Sequence, residues 1–363
     1  MKLKVLSLFS GIGAFEKALE RNNIDYELVN YCDIDLAAAK SFSIIHNVSE
    51  DLNLVDITKI DISKLPDDLD LITHGSPCQD FSAAGRQAGG DKGTGTRSSL
   101  MWNTVEIIEN KKPKYVIWEN VKNLISDRHR HNFDAYIETM DNLGYNSYYQ
   151  VLNAKDYGVP QNRERIYTIS IRKDIDDHKF KFPKPMYLEK RLKDVLEENV
   201  DEKYFVNDNR VGYYILNNGK NLNPGGRGMS GHVSKSDICP TLTTVDGGGV
   251  NIDIKKATQS VSSALFDNAV KKSDIPDINS YSEKDRLNIK NKDEKRKDII
   301  SEFRIRKLTP LECWRLMGFD DEDYYKCEKV CSPSQLYHQA GNSIVVNVLQ
   351  EIYKNLFLKG EDN

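Results

Sequence analysis

A cysteine follows a proline in HGSPCQDFS (residues 74–82), in a glycine-flanked loop just past a short apolar run. A cysteine that only packs is more often buried within an element. One that is exposed and rigidly held suits nucleophilic chemistry, because a thiolate attacks well and departs again readily. Pro77 restricts the backbone ahead of Cys78, and Gly85, Gly89, Gly90, Gly93 and Gly95 follow in a stretch suited to a closing loop. Glu119 is expected to end the next strand, in WENV, and VIWENV is an otherwise buried sequence in which an unpaired carboxylate is costly. Carboxyl ends of sequential strands commonly lie together, so Glu119 can share a pocket with Cys78. In PQNRERIY, Gln161, Arg163 and Arg165 alternate and project to one face of an extended segment. Two guanidinium groups on one face suit a phosphate or a base oxygen; a solvated strand edge is the other reading.

A second constellation opens the chain. In FSGIGAF, Gly11 and Gly13 let the backbone pass close to a ligand. The third glycine of a dinucleotide fingerprint would fall at position 16, where Glu16 stands instead. A carboxylate near that helix end repels a pyrophosphate, which favours a nucleoside ligand without phosphate over a nicotinamide dinucleotide. Asp33 ends the next strand-like run, 20 residues after Gly13, where a carboxylate grips ribose hydroxyls in such folds. Asp56, in VDIT, sits where a third strand is expected to end. For both acids a loop carboxylate or helix cap is the competing reading.

These residues need a scaffold, and the hydrophobic pattern supplies one. LKVLSLF, YELVNY, DLDLITHG, KYVIWEN, YNSYYQVL and IYTISI read as strands, with helical stretches between the early ones, including one at 100–110. That alternation predicts an α/β fold with a doubly wound, mostly parallel sheet. A catalytic and cofactor-binding domain is expected over 1–184, completed by a C-terminal segment 332–363. A smaller second domain is expected over 185–331, with Gly/Asn/Ser-rich texture and a polar insertion near 255–303. In RKLTPLECWRLMGF, Thr309 and Glu312 make a capping box, Pro310 suits the first helical position, and Gly318 is a stop. A last helix is expected over about Val345–Leu358.

The 363 residues are 29% charged and 39% hydrophobic, an ordinary globular profile with a net charge of -4. With no overall basic excess, a nucleic-acid partner requires positive groups concentrated on one face. The first residues carry an apolar run too short for a secretion signal or a membrane span, so a cytoplasmic location is expected, in a bacterial cell or a phage-infected host. The six cysteines are then expected to be reduced. Cys327, Cys331 and His338 lack the spacing and the fourth ligand of a zinc site, so no metal is expected.

Nine segments, in order, resemble the DNA cytosine-5 methyltransferases: LFSGIGAF, CDID, DIT, GSPCQDFS, TRSSL, WENV, QNRERIY, RKLTPLECWRLMGF and QAGNSIVVNV. They span residues 6–348, and the style is that of bacterial and bacteriophage restriction-modification members. The resemblance implies a Rossmann-like S-adenosylmethionine-dependent sheet with a target-recognition domain. It implies a cofactor site of Phe9, Gly11, Gly13, Asp33, Ile34, Asp56, Ile57, Pro77, Asn342 and Ser343. Cys78 is the implied nucleophile, Glu119 the acid toward cytosine N3, and Arg163 and Arg165 contacts to the target base and neighbouring charge. Ser82, Arg97, Arg227, Thr241 and Leu242 are the candidates for touching DNA. The family often has Arg-Gly-Thr-Leu where this chain has Arg97, Ser98, Ser99 and Leu100, a departure confined to one loop.

The implied reaction is methyl transfer to carbon-5 of a flipped-out cytosine in a short specific sequence of double-stranded DNA. The partners implied are that DNA and a functionally paired restriction endonuclease without a stable complex. A monomer is expected, since one chain contains every motif. An RNA (tRNA) cytosine-5 methyltransferase of related build is the alternative, with the same cofactor and thiol.

Overall fold

The computed structural model describes residues 2–77, 89–91, 93–206, 233–234, 237–244, 250–253 and 305–358. Cys78, Ser82, Arg227 and the insertion near 255–303 lie outside the described residues.

Every apolar run read as a strand is one. In chain order the strands are β1 (Leu3–Leu8), β2 (Tyr26–Cys32), β3 (Leu71–His74), β4 (Tyr115–Val121), β5 (Tyr145–Asn153), β6 (Gln161–Asn162) and β7 (Glu164–Arg172). All but β6 join one sheet, ordered β2-β1-β3-β4-β7-β5. The β2, β1, β3 and β4 strands are parallel, and β7 runs antiparallel between β4 and β5. Helices α1 (Ala14–Arg21), α2 (Leu36–His46), α3 (Met101–Lys111) and α4 (Arg130–Asn142) connect them. A parallel sheet must be covered on both faces, and period-two alternation sorts the side chains accordingly. Leu3, Val5, Leu71 and Ile117 enter a core shared with Phe15 and Leu19 of α1. Leu6, Leu8, Ile72, Val116 and Trp118 enter a second core with Met101, Val105, Phe133 and Tyr136.

Beyond residue 185, β8 (Val233–Ser234), β10 (Asn251–Asp253) and β11 (Ile305–Lys307) form a small sheet, while β9 (Cys239–Pro240) pairs with β6. Four helices follow: α5 (Pro310–Arg315), α6 (Asp321–Cys327), α7 (Pro333–Asn342) and α8 (Val346–Tyr353). The capping box of Thr309 and Glu312 is present, Pro310 opens α5, and Gly318 takes a positive φ just past its end. Leu308, Leu311, Trp314 and Cys327 lie in the same core as Phe15, and Lys17 of α1 bridges Asp320 and Asp323. The same core takes in Leu192, Cys239, Leu242 and Ile252 of the region between 185 and 307. Among the described residues no helix is long and apolar enough to cross a membrane.

One buried carboxylate ties this return to the second region. Glu312 accepts from both terminal nitrogens of Arg306 at 2.5 and 2.7 Å, and from the backbone of Thr309 and Glu197 at 2.8 Å each. Both side chains of the pair are buried. Removing one member of such a pair leaves an uncompensated charge. Glu312→Gln is expected to lower the unfolding free energy by about 3–5 kcal/mol, read from the shift of the denaturant midpoint.

Candidate active site

The sequence requires a sharp exit from β1, and the backbone makes one with Phe9, Gly11 and Gly13 at φ 52°, 55° and 84°. Gly13 is needed for a reason beyond its dihedral: a Cβ there would collide with Nε2 of His46, packed beneath the turn. The Gly11 amide donates to Asp33 Oδ2 at 2.7 Å, so the ends of β1 and β2 are tied together at the carboxyl edge of the sheet. Asp33 Oδ1 accepts from the Asp35 amide at 2.9 Å. Burial raises the Asp33 pKa, and these two amide hydrogen bonds oppose the rise. Asn53 completes the corner. Its side-chain oxygen accepts from the amides of Asp33 and Val55, and its amide nitrogen donates to the Asp33 carbonyl.

An unusual surface adjoins this acid. Ile34 and Leu36 are 72% and 66% exposed, and Val55, at φ 62°, is also exposed. Clustered apolar side chains in water mark a place where something apolar docks. A carboxylate beside exposed aliphatic groups fits a nucleoside: hydroxyls on the acid, a flat ring on the isoleucine. The Ser10 hydroxyl in the same turn is buried without a protein partner. These features fit an adenosyl group.

Two expectations are corrected here. Glu16 does not face the turn; it is fully buried on the inner side of α1, and burial raises its pKa. Its position therefore says nothing about pyrophosphate. Asp56 ends no strand. It caps a short 3-10 turn, Ile57–Lys59, accepting from the Thr58 amide and hydroxyl, with Lys59 at 3.0 Å. Ile57 is buried against the second core.

The C-terminal segment returns to this edge. Gln339 of α7 donates to the Ala37 carbonyl at 3.1 Å, and His338 lies 3.5 Å from Asp35. Asn342 contacts His338, and Ile344 packs on Gly75 beside Phe9. Asn342 and Ser343 thus stand at the end of β2 and β3, where the glycine turn also lies.

The loop that leaves β3 is held by β4. The Trp118 indole donates to Ser76 Oγ at 2.8 Å, and Asn120 donates to the Ser76 carbonyl at 3.2 Å. Glu119, on the opposite face of β4, is buried, with Arg165 Nε 3.1 Å from its Oε1. Burial pushes the Glu119 pKa up, and Arg165 and Arg163 pull against it without cancelling it. The sheet pairing explains the meeting: Glu119 stands opposite Tyr167, and Val121 opposite Arg165.

Arg163, for which the resemblance implies a contact to the target base and neighbouring charge, is held among backbone carbonyls. Its guanidinium is buried and donates to the carbonyls of Leu242, Gly341 and Ser343 at 3.1, 3.0 and 2.8 Å. It is a clamp joining three segments. Gly341 allows the junction, since a Cβ there would strike the backbone of Thr243. Gln161 works beside it, accepting from the Leu242 amide and donating to the Leu316 carbonyl. Leu242 itself is only 2% exposed, a core side chain with no edge free for a base. Thr241 is exposed, its hydroxyl donating to the Asn162 carbonyl. Arg97 opens a short turn capped by Thr96, preceding α3.

All five described cysteines are free and buried. Cys331 Sγ and Cys327 Sγ lie against Ser41, and Gln339 reaches Cys331. Of the residues that shape the site, Asn120 was within reach of the sequence, since it belongs to WENV. So were Trp118 of WENV and Ser76 of HGSPCQDFS; Asn53 was not, because its role depends on a loop returning 20 residues after Asp33.

The family model for C-5 cytosine-specific DNA methylases matches residues 3–358. The chain belongs to this family. It is 37% identical to the orphan methyltransferase M.SPRI of Bacillus phage SPR, covering 98% of this chain and 97% of that one. It is 33% identical to the type II methyltransferase M.HhaI of Haemophilus parahaemolyticus, covering 98% and 94%. Among solved structures, a DNMT2 mutant from Spodoptera frugiperda superposes with a TM-score of 0.66 at 21% identity, over 98% of this chain and all of that one. The sheet with its antiparallel β7 is thus the α/β architecture of this group, and this DNA cytosine methylase is an enzyme of the cytosine-5 type.

Proposed function

We propose that the chain transfers a methyl group from S-adenosylmethionine to carbon-5 of a flipped-out cytosine in a specific short sequence of double-stranded DNA. The observation that carries the cofactor assignment is the Asp33 corner. A carboxylate held by the Gly11 and Asp35 amides stands next to an isoleucine exposed to 72%. Asp33 would hold the ribose hydroxyls, Ile34 would cover a face of the adenine, and Phe9, Gly11, Gly13, Pro77, Asn342 and Ser343 would border the rest. Asp56 and Ile57 would bound the adenine edge through their backbone, their side chains being otherwise engaged. Covering this exposed isoleucine contributes up to about 1.5–3 kcal/mol. S-adenosylmethionine supplies the electrophilic methyl.

Cytosine carbon-5 is a weak nucleophile. Addition of the Cys78 thiolate at carbon-6 places electron density on carbon-5, which then takes the methyl group. Glu119, its proton retained in a dry site, donates to N3 and stabilises the charge that develops there. Arg165 orients Glu119 and lies where it can approach the base. A water molecule then takes the carbon-5 proton as base; the electrons of that C–H bond re-form the carbon-5–carbon-6 double bond and the carbon-6–sulfur bond breaks, releasing the thiolate. The cytosine reaches this site only after rotation out of the stack, at a cost of a few kcal/mol. Thr241, Arg97, Ser82 and Arg227 are the side chains assigned to DNA. Every assigned residue lies on one chain, so a monomer suffices, and no stable complex with a nuclease is required.

Incubation with labelled S-adenosylmethionine and either duplex DNA or tRNA tests the reading, followed by bisulfite sequencing of the methylated product. Label in DNA at carbon-5 supports it; label in tRNA alone overturns the substrate assignment. Asp33→Ala is expected to weaken cofactor binding about tenfold to a hundredfold, as measured by equilibrium titration, in line with about 1.5–3 kcal/mol for hydrogen bonds to a charged group.

A further inference from the structure

Ser76 stands two residues before the nucleophile, and both of its polar groups are held by one strand. Its hydroxyl takes the Trp118 indole N–H at 2.8 Å, and its carbonyl takes the Asn120 amide at 3.2 Å. Trp118 and Asn120 alternate along β4, so they point the same way, while Glu119 between them points to the other face. Ser76 and Trp118 are both buried. The indole is itself fixed. His74 lies parallel to it, with ring centroids 5.6 Å apart and planes 4° from coplanar. Tyr136 and Phe133 pack against it at 4.2 and 6.1 Å. The Tyr136 hydroxyl meets His74 Nε2 at 3.3 Å.

We infer that Trp118 is a positioning residue for the reaction, setting the direction in which the chain leaves β3 toward Cys78 through its hydrogen bond to Ser76. This rests on the functional reading above. An indole can only donate, so the Ser76 oxygen must accept from it, which fixes the serine rotamer. Pro77 has one φ, so the direction set at Ser76 carries into Pro77 with one dihedral already fixed. A small displacement of a nucleophile, on the order of 1 Å, is enough to slow chemistry strongly. The arrangement is also indifferent to pH. Burial pushes His74 down to about 3, so the ring behind the indole is neutral wherever the enzyme works.

The test compares the wild type, Trp118→Phe, Ser76→Ala and the double variant. The readouts are single-turnover methylation, adduct formation with duplex DNA bearing 5-fluorocytosine, and cofactor titration. Each single variant is expected to lower kcat and the adduct rate about tenfold, with KM for the cofactor within about twofold and the shape of the pH profile unchanged. The double variant is expected to be no slower than the slower single, since one hydrogen bond is removed in all three. Ser76→Ala deletes a single oxygen and guards against a folding defect in Trp118→Phe. Unchanged rates in both singles, a double-variant loss equal to the product of the singles, or a rise in cofactor KM at constant kcat would overturn the inference. A wild type that neither methylates DNA nor forms the adduct would overturn instead the reading on which it rests.

Discussion

Cys78→Ser is expected to abolish methyl transfer while cofactor binding stays intact. The sulfur must add to a pyrimidine carbon and later leave it, and a serine hydroxyl, far less acidic than a thiol, does neither at neutral pH. Loss of a covalent nucleophile costs about 10⁴-fold or more, because no other group on the chain takes over its bond. The cofactor corner is built from β1 and β2, with the Gly11–Asp33 hydrogen bond at its centre. Two measurements separate the roles. Equilibrium titration with S-adenosylmethionine should give a dissociation constant within about twofold of the wild type. Duplex DNA carrying 5-fluorocytosine should become covalently trapped on the wild type and not on the variant, because the fluorine cannot leave as a proton does. Appreciable turnover by the serine variant would remove the thiol from the mechanism.

The sheet was legible because its evidence is local. Runs such as YVIWENV and IYTISI are apolar on both faces, and only a covered strand tolerates that. The α5 cap was legible for the same reason: Thr309, Pro310 and Glu312 act within a single turn. What escaped depends on distance along the chain. Glu16, directly after FSGIGAF, reads as a carboxylate facing the turn, yet α1 turns it into the core. Arg163 and Arg165 alternate, as an extended strand requires, but one guanidinium is taken up by carbonyls at 242, 341 and 343, and only the other reaches Glu119. Leu242 shows the same limit, since whether a loop leucine faces a groove or a core depends on what the loop lies upon. Charge type and spacing identify which groups do chemistry; register and loop return decide which of them touch it.

Glu119 carries the second large effect, and its sign follows from burial. The carboxyl is buried beside Arg165, and burial raises its pKa more than the two arginines lower it. The neutral acid therefore persists to a higher pH than in an exposed glutamate, and only that form donates a proton toward N3. As pH rises through the raised pKa the donor becomes an acceptor, and the rate falls. The thiolate fraction of Cys78 moves the other way, so the wild type should show a bell-shaped dependence of the single-turnover rate on pH. Glu119→Gln keeps the size and a hydrogen-bond donor at every pH, but has no proton to transfer. The rate is expected to fall about 10²-fold, with cofactor affinity within about twofold. The alkaline fall should disappear, leaving a rise to a plateau. An unchanged alkaline limb in that variant would place the titrating acid elsewhere in the site. A loss of cofactor affinity at an undiminished rate would move Glu119 from the chemistry to the binding of S-adenosylmethionine, and the face of β4 opposite Trp118 would then need another acid.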